Sequence, residues 1–164
     1  MVSNDSLAAA PAVPVPQGHY VPAARVGSTI RTAGMTPRRD GRLLITGRVG
    51  IDVDVRQARE AAAVAVRNAL VAAGSMIEAG EHMRCAEMTV YIACDSEFTA
   101  LSSIADGASE VLAAEFGPDG LPARSAVGVY ALPGGSPVEV ALVAEVSSSG
   151  EERRAGAASR TANP

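Results

Sequence analysis

The residues best suited to chemistry in this chain lie in the stretch PARSAVGVYALPGGSPVEV, residues 122–140. Arg124 begins one predicted strand, and Glu139 lies inside the next. A guanidinium presents a planar fork that suits the two oxygens of a carboxylate, and a carboxyl group can act as a general acid or base. Since opposite charges can also pair, the first question is whether Arg124 and Glu139 meet.

Several other chemistries are excluded by the residue types and their spacing. All 14 residues counted as Lys or Arg are Arg, so no lysine Schiff base can form and a P-loop is ruled out. His19 and His82 stand at ligand spacing neither from each other nor from a cysteine, so a zinc site is not expected. No nucleophile elbow and no dinucleotide-binding glycine motif follows a predicted strand.

The length and charge of the chain predict one domain with no nucleic-acid or membrane partner. A chain of 164 residues can bury a single sizeable core, and its net charge of −4 favours neither nucleic acid nor an anionic membrane. We predict a disordered Ala/Pro-rich arm over residues 1–17, a folded unit over 18–146 and a disordered polar tail over 147–164. Without a recognisable signal peptide or a long apolar run, we expect a cytoplasmic protein.

The two cysteines are expected to be reduced. Cys85 and Cys94 lie nine residues apart within one predicted strand. Strand alternation places an odd spacing on opposite faces, so the two side chains should not be able to bridge. We interpret both as small buried hydrophobes.

The first half of the folded unit is predicted as two strands and a helix. The segments RVGSTIRTAGMTP and GRLLITGRVG are predicted strands around Arg38–Gly41, because Asp-Gly is a hairpin turn signal. The helix begins with Asp52 or Asp54 as its cap and ends where Gly74 supplies a left-handed residue. Its apolar face has helical spacing and consists of Val55, Ala58, Ala62, Val66, Ala69, Leu70 and Ala73.

The second half adds a strand, a helix and two strands. The segment MRCAEMTVYIAC is a strand with one face formed by Ala86, Met88, Val90, Ile92 and Cys94. A helix follows over about 96–116, then strands over 123–132 and 137–146. The order β-β-α-β-α-β-β predicts an α+β domain with two helices on one face of a sheet. Strand 137–146 has apolar residues on both faces, so the helix-free face should be covered, with another subunit as the obvious candidate.

The chain resembles the RidA/YjgF family of reactive-intermediate deaminases. The resemblance spans residues 18–146 and rests on GHYVPAARVGSTIRTAGMTP, EMTVYIACDSEFTALSSIADGASEVLAAEFG and, most strongly, ARSAVGV–LP–VEV. It implies a chorismate-mutase-like fold, a homotrimer and ligand clefts between subunits. It also implies hydrolysis of small 2-aminoacrylate-type enamines or imines, which carry a carboxylate, to 2-oxo acids and ammonia without a cofactor or metal.

The resemblance assigns roles to four residues, each with a simpler alternative. Arg124 matches the arginine that binds the substrate carboxylate, and the alternative is an ion pair at the rim. Glu139 matches the acid that positions or activates water, and the alternative is the polar face of an amphipathic strand. Gly34 matches a backbone position close to the ligand, or is a plain bulge. Tyr20 matches a ring that lines the pocket, or packs in the ordinary way.

Three positions depart from the family pattern. Ala33 stands where the deaminases usually have serine, Ala126 where they often have cysteine, and Asp106 where they have a ligand-contacting asparagine. An added carboxylate would repel an anionic ligand unless it were paired or protonated. These departures favour an alternative in which a specialised or non-catalytic member binds or processes a pathway intermediate.

The spacing of the last two strands predicts that Arg124 and Glu139 do not meet within one chain. If residues 123–132 and 137–146 formed a hairpin around Gly134-Gly135, the two charges would lie six residues apart along the ladder, roughly 20 Å. A shared site would then need Arg124 from one subunit and Glu139 from its neighbour.

Overall fold

The structure is a computed structural model, and it describes residues 12–148. Most of the predicted arm, residues 1–11, and the tail from residue 149 onward lie outside the described residues. Strand β7 continues to Ser148, two residues beyond the predicted end of the folded unit. Neither helix within residues 12–148 combines the length and apolar character needed to cross a membrane.

A five-stranded mixed sheet forms the centre of the fold. Its strands are β1 (Ala23–Val26), β2 (Thr29–Thr32), β5 (Glu81–Ala93), β6 (Ala123–Val129) and β7 (Val138–Ser148). They lie in the order β1-β2-β7-β5-β6. Strand β7 pairs antiparallel with β2 and β5, whereas β5 and β6 are parallel. The α+β class is therefore confirmed, with two helices packed on one side of a sheet.

The predicted first hairpin is divided into two smaller ones. Strands β1 and β2 already pair with each other around Gly27, whose φ of 62° is accessible to glycine at low cost. The Asp-Gly turn exists, with φ of 51° at Asp40 and 74° at Gly41. It connects only the two-residue strands β3 (Arg38–Arg39) and β4 (Arg42–Leu43), which form a separate sheet.

Helix α1 (Val55–Gly74) begins as predicted but ends differently. Asp54 is its cap: its side chain accepts from the Gln57 amide at 2.8 Å, and the Gln57 side chain accepts from the Asp54 amide. Gly74 is not left-handed, because it is the last helical residue and Ser75 keeps α geometry. The prediction of a left-handed stop was wrong, since the chain leaves through a further turn that Met76 closes on Ala73.

Helix α2 (Leu101–Phe116) begins five residues later than predicted. Asp95 explains the delay, because its carboxylate and its carbonyl accept from the amides of Glu97 and Phe98, which gives a turn instead of a helix. The helix packs closely on α1 at Gly107, where an added Cβ would lie 2.3 Å from the Arg59 carbonyl oxygen. It ends at Gly117, with φ of 78°, as expected.

A bulge in β5 overturns the prediction that the two cysteines lie on opposite faces of the strand, although both are free and buried as predicted. The pairing with β7 shifts register between Cys85 and Glu87, so one extra residue stands in the strand at this point. Cys85 faces the core and Ala86 is exposed, the reverse of the predicted pattern. Cys85 and Cys94 are therefore both buried in the same core, and both are free thiols.

The predicted hairpin between the last two strands was also wrong. Strand β5 lies between β6 and β7, so the two strands that flank Gly134-Gly135 are not neighbours. The turn residues Pro133–Gly135 form a 3₁₀ turn that leads from β6 across the end of β5. The predicted separation of Arg124 and Glu139 therefore has to be replaced by the observed one.

Candidate functional site

Glu139 and Gly34 are in direct contact on the helix-free face. Along β7 the residues Val138 and Val140 are fully buried on the helix side, which turns Glu139 to the other face. A Cβ added to Gly34 would lie only 1.9 Å from Glu139 Oε1. The backbones are fixed beside this contact, because Met35 and Val140 exchange hydrogen bonds of 2.8 and 2.9 Å. Only glycine fits at position 34 while the glutamate keeps this position.

The Glu139 carboxyl group is desolvated and unpaired. Within residues 12–148 it accepts no hydrogen bond and makes no ion pair, and burial raises its pKa above the usual range of glutamate. A carboxyl group in such surroundings holds a proton at higher pH than a solvated one does. It can therefore act as a proton donor at higher pH than a solvated glutamate, and as an acceptor once it is ionised.

Ala33 directly precedes Gly34, and Tyr20 lies in the segment that leads into β1. The Ala33 amide donates to the Pro22 carbonyl at 2.8 Å, which ties the segment after Tyr20 to the residue before Gly34. The Tyr20 ring is half exposed, and its hydroxyl accepts from the Gln17 amide. Ala33 packs against the core and offers no side-chain polar atom. We call Tyr20, Ala33, Gly34 and Glu139 the Glu139 cluster.

Arg124 lies on the opposite side of the sheet, beneath α2. Its Nη1 donates to Asp106 Oδ1 at 2.7 Å and to Ser109 Oγ at 2.8 Å. The Arg124 side chain is 23% exposed and that of Asp106 is 50% exposed. Asp106, which was predicted as a ligand-contacting position, is in direct contact with Arg124, whereas Ser109 was missed.

Arg59 of α1 extends this contact into a charge network. Its Nη2 donates to Glu110 Oε1, and its Nη1 donates to the Ser103 carbonyl. Its Nη1 also lies 3.9 Å from Asp106 Oδ2. The four charges of Arg59, Asp106, Glu110 and Arg124 sum to zero. Asp106, Ser109 and Glu110 stand three and four residues apart on one helix face, a spacing that the sequence did contain.

Ala126 completes the second group without adding a polar side chain. It follows Arg124 by two residues in β6, so it shares the face of Arg124, and it pairs in the ladder with Val90. It is half-buried against the core. We call Arg124, Asp106, Ser109 and Ala126 the Arg124 cluster.

The two clusters do not meet within one chain. Arg124 pairs with Met88 of β5, whereas Glu139 pairs with Tyr91, so they stand three residues apart along the ladder, about 10 Å. They also lie two strands apart and on opposite faces of the sheet. The structure therefore separates Arg124 and Glu139 for a different reason from the one the sequence predicted. Among residues 12–148, no group of three or more His, Cys, Asp or Glu side chains could hold a metal ion.

Comparisons with known proteins agree on the family. A family model described as endoribonuclease L-PSP matches residues 10–146. Protein TCP17 of Trypanosoma cruzi is 30% identical over 139 residues, which cover 84% of this chain and 87% of that protein.

Two solved structures share the fold. A protein of unknown function from Agrobacterium tumefaciens is 32% identical, with a TM-score of 0.72 over 79% of this chain and 82% of its own. The YjgF gene product from E. coli is 23% identical, with a TM-score of 0.58 over 81% and 92%, and shows the shared fold alone. By the match of the family model, the chain belongs to the endoribonuclease L-PSP family, which is the RidA/YjgF family.

Proposed function

We propose that this protein hydrolyses a small reactive enamine or imine of the 2-aminoacrylate type to a 2-oxo acid and ammonia. The reaction would take place in clefts between the subunits of a homotrimer. Each cleft would combine the Arg124 cluster of one subunit with the Glu139 cluster of its neighbour. The observation that carries the proposal is the Glu139 carboxyl group, which is desolvated, unpaired within residues 12–148 and fixed against Gly34.

Glu139 can supply both proton transfers that this reaction needs. Its protonated carboxyl donates to C3 of the enamine and gives the 2-iminium acid. The resulting carboxylate takes a proton from water as the oxygen adds to C2, which yields a carbinolamine. When the C–N bond breaks, nitrogen takes the carboxyl proton and the new hydroxyl returns its own to the carboxylate. Enamine and water thus become 2-oxo acid and ammonia, and Glu139 ends protonated again.

Arg124 is suited to hold the substrate by its carboxylate. Nη1 is engaged by Asp106 and Ser109, whereas no partner within residues 12–148 takes the Nε–H and Nη2–H groups. These two groups form one edge of the guanidinium, and that edge can donate two parallel hydrogen bonds to a carboxylate. Orientation of the substrate by such a clamp lowers the barrier by fixing the reacting atoms in place.

A binding protein without turnover is the second candidate. Ala126 provides no thiol where the deaminases often have one, and Asp106 adds a negative charge beside the arginine. A pathway intermediate of changed structure could fit this altered cleft without being hydrolysed. This reading predicts binding that depends on Arg124 but no acceleration of imine loss.

A trapping assay distinguishes the two candidates. An amino-acid oxidase generates a 2-imino acid in the presence of semicarbazide, and the enzyme competes with the trap by hydrolysing the imine. We expect the wild type to lower semicarbazone formation, and Glu139→Gln to abolish this effect. Glu145→Gln is the matched control, because Glu145 lies on the same face of β7 but bonds to Ser28 and Thr29 instead. Binding of 2-oxobutyrate without any decrease in semicarbazone would reject the enzyme and support the binder.

The wild-type and Glu139→Gln preparations also test for endoribonuclease activity, which the description of the family names. The net charge of −4 opposes binding of nucleic acid, so we expect no cleavage of single-stranded RNA. RNA cleavage that disappears in Glu139→Gln would replace the deaminase proposal.

A further inference from the structure

We infer that Asp106 makes the cleft selective for ligands with a protonated nitrogen next to the carboxylate. Such ligands are 2-iminium acids and α-amino acids, and the disfavoured class is the 2-oxo acids. The inference rests on the proposed function, because it assumes that Arg124 binds the carboxylate of the ligand. It adds a specificity-determining residue and a direction of preference, in favour of substrate over product.

The first support is that Asp106 orients Arg124 without blocking it. A guanidinium Nη carries two hydrogens, and Nη1 of Arg124 uses its two on Asp106 Oδ1 and Ser109 Oγ. The edge formed by Nε and Nη2 has no partner among the described residues. The ion pair therefore fixes the plane of the guanidinium and leaves its bidentate edge for a ligand carboxylate.

The second support is the free oxygen of Asp106. Oδ1 accepts from Arg124, but Oδ2 is 3.9 Å from the nearest Arg59 nitrogen, which is longer than a hydrogen bond. The Asp106 side chain is also half exposed. Its carboxylate can therefore accept an N–H from a ligand that is already bound to Arg124.

The third support is the match of charge. A positive and a negative group stand 2.7 Å apart at Arg124 and Asp106, and an α-amino or 2-iminium acid carries the opposite pair on adjacent carbons. A 2-oxo acid instead points carbonyl lone pairs at the Asp106 carboxylate. It also brings an unbalanced negative charge to the charge network of Arg59, Asp106, Glu110 and Arg124, whose four charges sum to zero. Both contacts are unfavourable for the oxo acid.

Isothermal titration with two ligands of equal carbon skeleton tests the inference. We would titrate 2-aminobutyrate and 2-oxobutyrate into the wild type and into Asp106→Asn, which preserves side-chain shape. The wild type should prefer 2-aminobutyrate. In Asp106→Asn we expect about tenfold weaker binding of the amino acid and about tenfold tighter binding of the oxo acid, from the lost and gained contacts of one charged group.

Two controls separate this inference from the proposed function. Glu110→Gln changes the net charge of the network around Arg59 and Arg124 by the same amount as Asp106→Asn does, but leaves the Asp106 contact, so it should not alter the ratio of the two affinities. Any of three results would overturn the inference. These are an equal change of the affinity ratio in Glu110→Gln, an unchanged affinity ratio in Asp106→Asn, and no measurable binding of 2-aminobutyrate to the wild type. Arg124→Ala should abolish the binding of both ligands. If it abolishes the binding of neither, the proposed site itself is wrong.

Discussion

The Glu139 cluster and the Arg124 cluster hold their key residues in opposite ways. Glu139 lies on β7, which has β2 and β5 on its two sides, and its carboxyl group fills the space that a Cβ at Gly34 would need. Arg124 lies on the edge strand β6 and is held by charge, through Asp106 and Ser109. An interior strand suits a carboxyl group that needs a raised pKa, because neighbouring strands exclude water. An edge strand suits a group that has to bind across a subunit boundary.

The largest effect expected from this division is the rescue of activity by mixing two inactive variants. Arg124→Ala and Glu139→Gln should each lose about 10²- to 10⁴-fold in turnover, because each removes one half of every cleft. In randomly mixed trimers, a cleft is intact when it takes Arg124 from one variant and Glu139 from the other. About a quarter of the clefts meet that condition in a ring of three subunits, so about a quarter of the activity should return.

The mixing experiment needs co-refolding or co-expression with two tags, followed by the trapping assay on the doubly tagged fraction, in which about one cleft in three is intact because trimers of a single variant are removed. Each variant assembled alone, with both tags, is the control and should stay inactive. If equal mixtures recovered nothing while forming trimers, both residues would have to act from one subunit. A well-folded monomer in sedimentation would remove the basis of the cleft altogether.

Gly34→Ala should disrupt the Glu139 cluster alone. The new Cβ would stand 1.9 Å from Glu139 Oε1, so the carboxyl group has to move, and a displacement of about 1 Å can cost about 10²-fold in rate. We expect a loss of turnover with little change in the affinity for 2-oxobutyrate, which Arg124 binds. Gly74→Ala is the matched control, because its Cβ meets no atom within 4 Å. Full activity in Gly34→Ala would show that the position of Glu139 is not critical.

The sequence revealed local features well and the pairing of strands poorly. The helix cap at Asp52 or Asp54, of which the structure uses Asp54, depends on near neighbours in the chain, as does the alternation along β7, and both were predicted. The strand order was not predicted. Strand β5 lies between β6 and β7 although it precedes both by thirty residues or more, and only the packing of the whole sheet decides this order. The bulge before Glu87 likewise depends on the partner strand.

The candidate site shows the same limit. All residues of the two clusters except Ser109 were named from family spacing, but their distribution over two faces follows from the strand order. The charge network joins Arg59 of α1 to residues of α2 that follow it by more than forty positions, and no local pattern links them. Ser109 and Glu110 could have been identified from the sequence, because they follow Asp106 at helical spacing.

The smallest expected effect is on stability, and it compares two carboxylates of β7. Burial raises the pKa of Glu139 above the value of about 4.5 for an unfolded chain. The folded state therefore binds its proton more tightly, and Glu139 lowers stability at any pH above its raised pKa. Glu139→Gln should raise the melting temperature at pH 8 by a few degrees at most. The gain should shrink as pH falls through the raised pKa and vanish below about 4.5.

Glu145, on the same face of the same strand, should respond with the opposite sign. Hydrogen bonds from Thr29 and Ser28 lower its pKa, so its carboxylate stabilises the fold at neutral pH. Glu145→Gln should lower the melting temperature at pH 8, and the loss should disappear as pH falls below about 4.5. Thermal unfolding at equal protein concentration, between pH 3 and 8, measures both variants. Equal signs would mean that Glu139 is not desolvated, and its role as a proton donor would lose its physical basis.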